Sequence, residues 1–185
     1  MASSRWRNFR PDASSEIYFA MTTPHILYLD FDGVLHDDAV YYSPDRGMYL
    51  HTPRRVLFEW MPILDELLAP YPELMVVLST SWVRAQGLAY ATSRLSPSLR
   101  SRVVGATFDN RHVQKAEFDL LPRGLQVWQD IERRAPVGWF AIDNDAAGWP
   151  QHCLDRLVLT EDTLGLSDIR VQVAVRRILA SMHAA

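Results

Sequence analysis

The sequence predicts an α/β fold of Rossmann-like type, a mostly parallel five-stranded sheet with helices on both faces. Three observations predict it. Short apolar runs alternate with stretches whose apolar residues recur at helical spacing, the runs are continuous rather than alternating, and several end abruptly in acidic or hydroxyl residues. Strands alternating with helices make βαβ units, and a parallel sheet covered on both faces takes strands that are apolar throughout.

The elements follow in order. Residues 1–24 are polar, contain Ser and Arg and lack sustained periodicity, so they read as a loose arm ahead of one domain over 25–185. Met21 leaves open that the start is over-extended. Ile26–Leu29 is the first strand. A long helix is expected from Pro53, with Thr52 as N-cap, an apolar face through Leu57, Trp60, Ile63 or Leu64, and Leu67, and a kink or restart at Pro62. Residues 74–80 give the second strand, followed by a helix over about Val83–Leu95. Residues 102–108 are a third strand, Pro122 opens a helix running to about Ala135, and 137–143 and 156–160 are the fourth and fifth strands. The chain closes with a helix from about Ser167 whose apolar side carries Ile169, Val173, Val175, Ile178, Leu179 and Met182.

Composition bounds the function. The chain of 185 residues is long enough to bury a sizeable core, and 48% hydrophobic with 22% charged residues is ordinary globular composition. A net charge of -3 gives no general attraction to nucleic acid or anionic membrane, although Arg84, Arg94, Arg100, Arg102, Arg111 and Arg123 could gather into a local basic groove. Cys153 is the only cysteine, which excludes an intramolecular disulfide and suits a reducing compartment. No apolar run reaches membrane-spanning length and no signal-peptide pattern precedes the first strand, so the cytoplasm is the expected location. The six histidines show no close pair at zinc-ligand spacing, and no P-loop pattern is present. Lys115 is the only lysine, so cationic roles fall to arginine, the better bidentate partner for phosphate.

In an open α/β sheet, ligands bind outside the carboxyl ends of the strands, where the strand order reverses. Here those ends carry Asp30-Phe31-Asp32-Gly33, Ser79-Thr80-Ser81 and Asp143-Asn144-Asp145. Carboxylates from two neighbouring strands would repel, and a divalent cation is the simplest relief. Oxygen ligation by few carboxylates, completed by water and phosphate, suits Mg2+. One aspartate could then attack phosphorus while the other protonates the leaving group and activates water. Gly33 would permit the close turn that puts the two side chains on the same side of the site, and the hydroxyls after the second strand could donate to a phosphoryl oxygen. His36, Asp37 and Asp38 read as solvated loop residues. The tryptophans read most simply as core or rim aromatics, with lining the substrate entrance as the lesser alternative for Trp82 and Trp149, which directly follow motifs.

The segment LDFDGVL resembles the first motif of the haloacid dehalogenase-like (HAD) superfamily, D-x-D-G-x-x, and FAIDND resembles its acidic fourth motif. The resemblance spans about 25–180. More narrowly, VVLSTSW, DND and LTEDTLGLS look like the small HAD domains found within Swiss Army Knife RNA repair proteins. The resemblance implies a phosphatase with Asp30 as nucleophile, Asp32 as general acid and base, and Mg2+ held by the Asp30 carboxylate, the Asp32 carbonyl and Asp143. It implies Thr80 as the phosphate-binding hydroxyl, with Ser79 and Ser81 as alternatives. The cation that steadies nucleophile and phosphate is Arg123, ahead of Lys115. Asn144 departs from the family pattern, where a second aspartate is common, and Asp145 could supply that charge through water or through a hydrogen bond to a metal-binding residue. The two insertions, 33–52 and 109–122, are too short for a large cap domain, and an open site fits a bulky substrate such as a polynucleotide end or protein phosphoester better than a small metabolite. A nucleotide or nucleic-acid terminal phosphate is the favoured class, with small metabolites or phosphoproteins as alternatives. The rival expectation is a non-catalytic HAD-fold binding or regulatory module. Oligomeric state is not legible.

Overall fold

The structure, a computed structural model, describes residues 24–184, so the predicted arm lies outside the described residues except for Pro24. In chain order the strands are β1 (Ile26–Leu29), β2 (Val40–Ser43), β3 (Gly47–Leu50), β4 (Met75–Leu78), β5 (Val103–Ala106), β6 (Trp139–Asp143) and β7 (Leu157–Leu159). The helices are α1 (Met61–Leu68), α2 (Ser81–Gln86), α3 (Leu88–Ser93), α4 (Pro97–Arg102), α5 (Lys115–Asp119), α6 (Arg123–Arg134) and α7 (Ile169–Met182).

Five strands form one parallel sheet in the order β5-β4-β1-β6-β7, and β2 pairs with β3 as a separate antiparallel hairpin. The five sheet strands predicted from the apolar runs are all present, as is the α/β class. Every residue of β1 and β6 is buried, as two-sided cover requires. Successive side chains alternate between faces. Leu27, Leu29, Val76, Leu78, Phe140 and Ile142 pack with Leu64 and Leu68 of α1 and Val175 and Leu179 of α7. Ile26, Tyr28, Val77, Trp139 and Ala141 pack with Val127 and Ile131 of α6. Each fully buried Leu or Phe contributes about 1.5–3 kcal/mol by leaving water.

Several expected elements differ. The helix expected from Pro53 begins only at Met61. Arg54 and Phe58 take left-handed backbone conformations (φ 66° and 63°) that no helix accommodates, and the Thr52 hydroxyl donates to Asp37 Oδ1 (3.0 Å) instead of capping. Pro62 sits in the first turn of α1, where its missing N–H costs nothing, so it marks the start. The helix expected over 83–95 is split into α2 and α3 at Gly87, whose φ of 89° interrupts the spiral. Helix α4 was not expected, although Ser96 accepts from the Leu99 amide and Pro97 follows it, a legible N-terminal signal. On α7 the buried stripe is Val171, Val175 and Leu179, whereas Ile169 and Val173 are exposed. The true four-residue spacing passes through Val171 and leaves Ile169 and Val173 on the outer face.

The first insertion carries the β2–β3 hairpin and the second only α5, so among the described residues no large cap domain covers the sheet edge. Among the described residues, no helix is long and apolar enough to cross a membrane.

Candidate active site

Strand register brings the candidate residues together. Leu29 pairs with Leu78 on one side and Ile142 on the other, which sets Asp30 between Ser79 and Asp143. The Asp30 amide donates to the Ile142 carbonyl (3.1 Å) and the Ser79 amide to the Leu29 carbonyl (2.8 Å), continuing the ladder one step past each strand. Strand β1 is also where the order reverses, toward β4 on one side and β6 on the other.

Asp30 and Asp143 are buried, at 3% and 1% exposure. Arg123, the first residue of α6, reaches both: Nη2 lies 3.5 Å from Asp30 Oδ2 and Nε 3.5 Å from Asp143 Oδ2. Its Nη1 also donates to the Ser79 carbonyl. The start of α6 is pinned by the Gly124 amide, which donates to the Ala147 carbonyl (2.9 Å) in the loop after β6. Lys115, the alternative cation, does not join this cluster: its exposed Nζ binds Asp119 Oδ2 (2.7 Å), on a residue that lines the cleft beside Arg123, and Arg84 binds the other oxygen of Asp119 (2.9 Å). The reason is local, since Lys115 and Asp119 stand four apart on α5 and satisfy each other. Of the other arginines expected to gather, Arg84 shares a cleft with Arg123, and three are occupied away from it. Arg102 is spent on the carbonyls of Leu68, Tyr71, Pro72 and Leu74, Arg111 on Asp109, and Arg94 lies over the Phe58 ring.

One guanidinium between two buried carboxylates leaves negative charge uncompensated. Burial, with Asp32 adding and Arg123 opposing, pushes the Asp30 carboxyl from 3.8 up to about 6. Burial and the neighbouring Asp30 charge raise Asp143 well above its ordinary range, again against Arg123. Asp143 Oδ1 accepts from the Asp145 amide (2.9 Å), so Asp145 supports it through its backbone, while the Asp145 side chain caps Ala147 (2.7 Å). Asp30 Oδ1 is buried and has no hydrogen-bond partner among the described residues. Such an oxygen is costly unless something positive meets it. Among the described residues, no group of three or more His, Cys, Asp or Glu side chains is placed to hold a metal ion, so a cation here would rest on Asp30 and Asp143, with its other positions left to water and substrate. That donor set fits Mg2+, a hard cation that keeps several waters.

Thr80 and Ser81 stand beside this centre. Thr80 is the N-cap of α2, accepting from the Trp82 amide (3.4 Å), and its side chain favours the ionised form of Asp30. Ser81 is half-buried, and both line a cleft of about 200 Å³ with Arg84, Thr107, Arg123 and Asp145. Ser79 is buried behind Arg123. Gly33 is buried at φ 67°, and a Cβ there would stand 2.5 Å from Asn144 Nδ2, so it opens the tight turn that follows Asp32 and packs against Asn144. Asn144 donates to Asp162 (2.9 Å) and Asp38 (3.4 Å), tying two acidic loops together where a second carboxylate would repel both.

The segment after Asp32 is not the solvated loop expected for it. His36 is fully buried and Asp37 is 3% exposed. His36 lies edge-on to Phe58 and Trp82, and Asp37 accepts from the Ala39 amide (2.9 Å) and from Thr52. Only Asp38 is exposed among the three, and burial, Asp162 and Asp32 raise its pKa. Trp82, read as a core or rim aromatic, is fully buried, and its indole Nε1 donates to Asp32 Oδ1 (2.8 Å). Trp149 is likewise buried and holds the β6 loop through the Asp145 carbonyl (2.9 Å). His36 stood at a legible distance, four residues after Asp32. Nothing in a sequence shows that an indole fifty residues away meets the same oxygen.

A family model described as the HAD domain in Swiss Army Knife RNA repair proteins matches residues 26–171. No curated protein and no solved structure matches the chain.

Proposed function

The chain belongs to the family of HAD domains in Swiss Army Knife RNA repair proteins, and from that premise we propose that it is a Mg2+-dependent phosphomonoester hydrolase working through an aspartyl-phosphate on Asp30. The observation that carries the reading is the buried Asp30–Arg123–Asp143 cluster with an unpartnered Asp30 oxygen at the carboxyl edge of the sheet. The hydrolase domain on this reading is residues 25–185, and a cytoplasmic setting agrees with the single, unpaired cysteine.

Asp30, Asp143 and the Asp32 carbonyl would hold Mg2+, which when bound offsets the carboxylate charge and that of the incoming phosphate. Asp30 attacks phosphorus, and the bond to the leaving-group oxygen breaks as Asp32 supplies its proton. Water then bonds to phosphorus and gives its proton to Asp32, the bond to Asp30 breaks, and inorganic phosphate leaves. Arg123 holds the nucleophile in place and meets the equatorial oxygens, where charge accumulates. Thr80 and Ser81, at the start of α2, donate to a phosphoryl oxygen. Lys115 has no part in this scheme.

The favoured substrate is a nucleotide or the terminal phosphate of a nucleic acid. Two features support it: the RNA repair setting of the family and a sheet edge covered by nothing larger than a hairpin and a five-residue helix. The test is a hydrolysis screen over nucleotides, sugar phosphates, phosphopeptides and 5′- or 3′-phosphorylated oligonucleotides, with and without Mg2+ and with Asp30→Asn as control. Turnover of a phosphomonoester that needs Mg2+ and vanishes in Asp30→Asn is expected. Unchanged hydrolysis in Asp30→Asn, or in excess chelator, would sink the mechanism.

A further inference from the structure

Two nitrogen donors meet one oxygen of Asp32. Trp82 Nε1 lies 2.8 Å from Oδ1 and His36 Nε2 lies 3.1 Å from the same atom. Neither residue belongs to the Asp30–Arg123–Asp143 cluster, and neither has another side-chain hydrogen bond among the described residues.

The surroundings allow these donors little freedom. Both residues are fully buried. The His36 ring sits 4.9 Å from Phe58 and 5.9 Å from Trp82, and Phe31 closes against Phe58 (5.3 Å) and Trp82 (5.8 Å). Tyr90 stacks over the indole at 6.3 Å. His36 Nδ1 is buried without a partner. For the fold alone this is a poor choice, because an apolar side chain would fill the same aromatic pocket without burying an unsatisfied nitrogen. What the imidazole adds is its bond to Asp32.

We propose that Trp82 and His36 are positioning residues that lock the Asp32 carboxyl group with Oδ1 as acceptor and Oδ2 as the oxygen that gives and takes the proton. This rests on Asp32 acting as acid and base in the reaction above. An indole nitrogen can only donate, so Oδ1 must accept from Trp82. With His36 assigned the tautomer that carries its proton on Nε2, the second lone pair of Oδ1 is used as well. The exchangeable proton is thereby confined to Oδ2. In the first step it passes from Oδ2 to the leaving-group oxygen, as the Asp30–phosphorus bond forms and the phosphorus–leaving-group bond breaks. In the second a proton of the attacking water returns to Oδ2, as the Asp30–phosphorus bond breaks. Asp32 is one-fifth exposed at its side chain while Oδ1 stays anchored, and its charge is felt by both Asp30 and Arg123.

The test uses the whole chain with Mg2+ and two probes, phenyl phosphate, whose leaving group needs a proton, and 4-nitrophenyl phosphate, whose leaving group needs it far less. In Trp82→Phe and His36→Leu, kcat on phenyl phosphate should fall about 10- to 100-fold with KM within about twofold, the scale of an impaired general acid. On 4-nitrophenyl phosphate the same variants should release one enzyme equivalent of nitrophenolate in a burst, followed by slow turnover, because only breakdown of the phospho-enzyme still needs Asp32. His36→Gln, whose amide can donate in place of Nε2, should recover most of the rate. Equal losses on both probes without a burst, wild-type rates in both variants, or no recovery in His36→Gln would overturn the proposal. If Trp82→Phe does not fold, the His36→Leu and His36→Gln pair decides. Asp32→Asn separates this from the parent reading: if it lacks the leaving-group pattern, the role of Asp32 has failed. If Asp32→Asn shows the pattern and the two positioning variants do not, only the present inference has failed.

Discussion

Arg123 Nη2 lies 3.5 Å from Asp30 Oδ2 in a site where the guanidinium is 17% exposed and the carboxylate 4%. The contact crosses from the first residue of α6 to the residue just past β1, and Asp143 meets the same guanidinium through Nε. Water cannot screen charges at that depth, so the arrangement of these three groups dominates both the stability and the chemistry of the site.

Arginine and lysine variants should therefore behave very differently. Arg123→Ala leaves two buried carboxylates uncompensated and is expected to destabilise the chain by about 3–5 kcal/mol and to lower kcat by about 10²- to 10³-fold. Arg123→Lys keeps the charge but cannot span Asp30, Asp143 and the Ser79 carbonyl together, so it should recover stability better than activity. Lys115→Ala removes one exposed partner of Asp119, which keeps Arg84, and should change stability by less than about 1 kcal/mol with kcat nearly unchanged. Urea denaturation and steady-state kinetics on the three variants check this. Comparable losses in Lys115→Ala and Arg123→Ala would remove the assignment of Arg123.

Stability should also depend on pH in the direction opposite to ordinary acid unfolding. Burial raises Asp30 from 3.8 to about 6 and raises Asp143 as well, so between those values the folded chain binds more protons than the unfolded one. Stability then falls as pH rises, because ∂ΔG/∂pH follows the protons bound unfolded minus those bound folded, which is negative here. The contribution is fully present below pH about 4 and is lost through pH about 6, on a scale of about 3 kcal/mol for Asp30 alone. The prediction is that chelator-treated protein unfolds at lower urea concentration at pH 7 than at pH 5, and that Mg2+ restores the midpoint at pH 7 but has little effect at pH 5. Asp30→Asn should flatten the metal-free profile. A metal-free midpoint that rises from pH 5 to pH 7 would contradict it.

How much of this was legible in the sequence differs by residue. Asp30, Thr80 and Asp143 were readable because strand ends announce themselves: apolar runs stop, and a parallel sheet aligns those ends whatever the rest of the chain does. Arg123 was readable only in part, since Pro122 marks a helix start but not where that helix docks. The buried His36 and Asp37 were missed because their polarity argued for solvent, and their burial depends on Phe58 and Trp82 arriving from distant segments. The expected helix over 53–60 failed for a related reason: propensity and a capping threonine were overridden by the bond from Thr52 to Asp37 and by a buried Phe58 with positive φ. Local pattern predicted the sheet and its edge, and tertiary contact decided what surrounds Asp32.

Gly124 carries the remaining prediction, because its backbone sets the position of Arg123. It is the second residue of α6, in ordinary helical conformation, where alanine would on propensity alone be favoured by up to about 1 kcal/mol. The packing argues the other way. A Cβ at this position would lie 2.3 Å from the Trp149 backbone nitrogen and 2.4 Å from its Cα, and backbone in a loop held by the Trp149 indole cannot step aside like a side-chain tip. Relief requires the start of α6 to move away from the β6 loop, stretching the Gly124–Ala147 hydrogen bond and withdrawing the neighbouring guanidinium from Asp30 and Asp143. Overpacking of this kind costs about 1–3 kcal/mol, which exceeds the propensity gain. Gly124→Ala is thus expected to lower stability by about 1–2 kcal/mol and kcat by about 10-fold or more, since a displacement near 1 Å can cost up to about 10²-fold. Glu132→Ala, exposed on the same helix, is the control and should leave both within error. If Gly124→Ala is as stable and as active as that control, α6 is not seated by this contact and the placement of Arg123 must come from elsewhere.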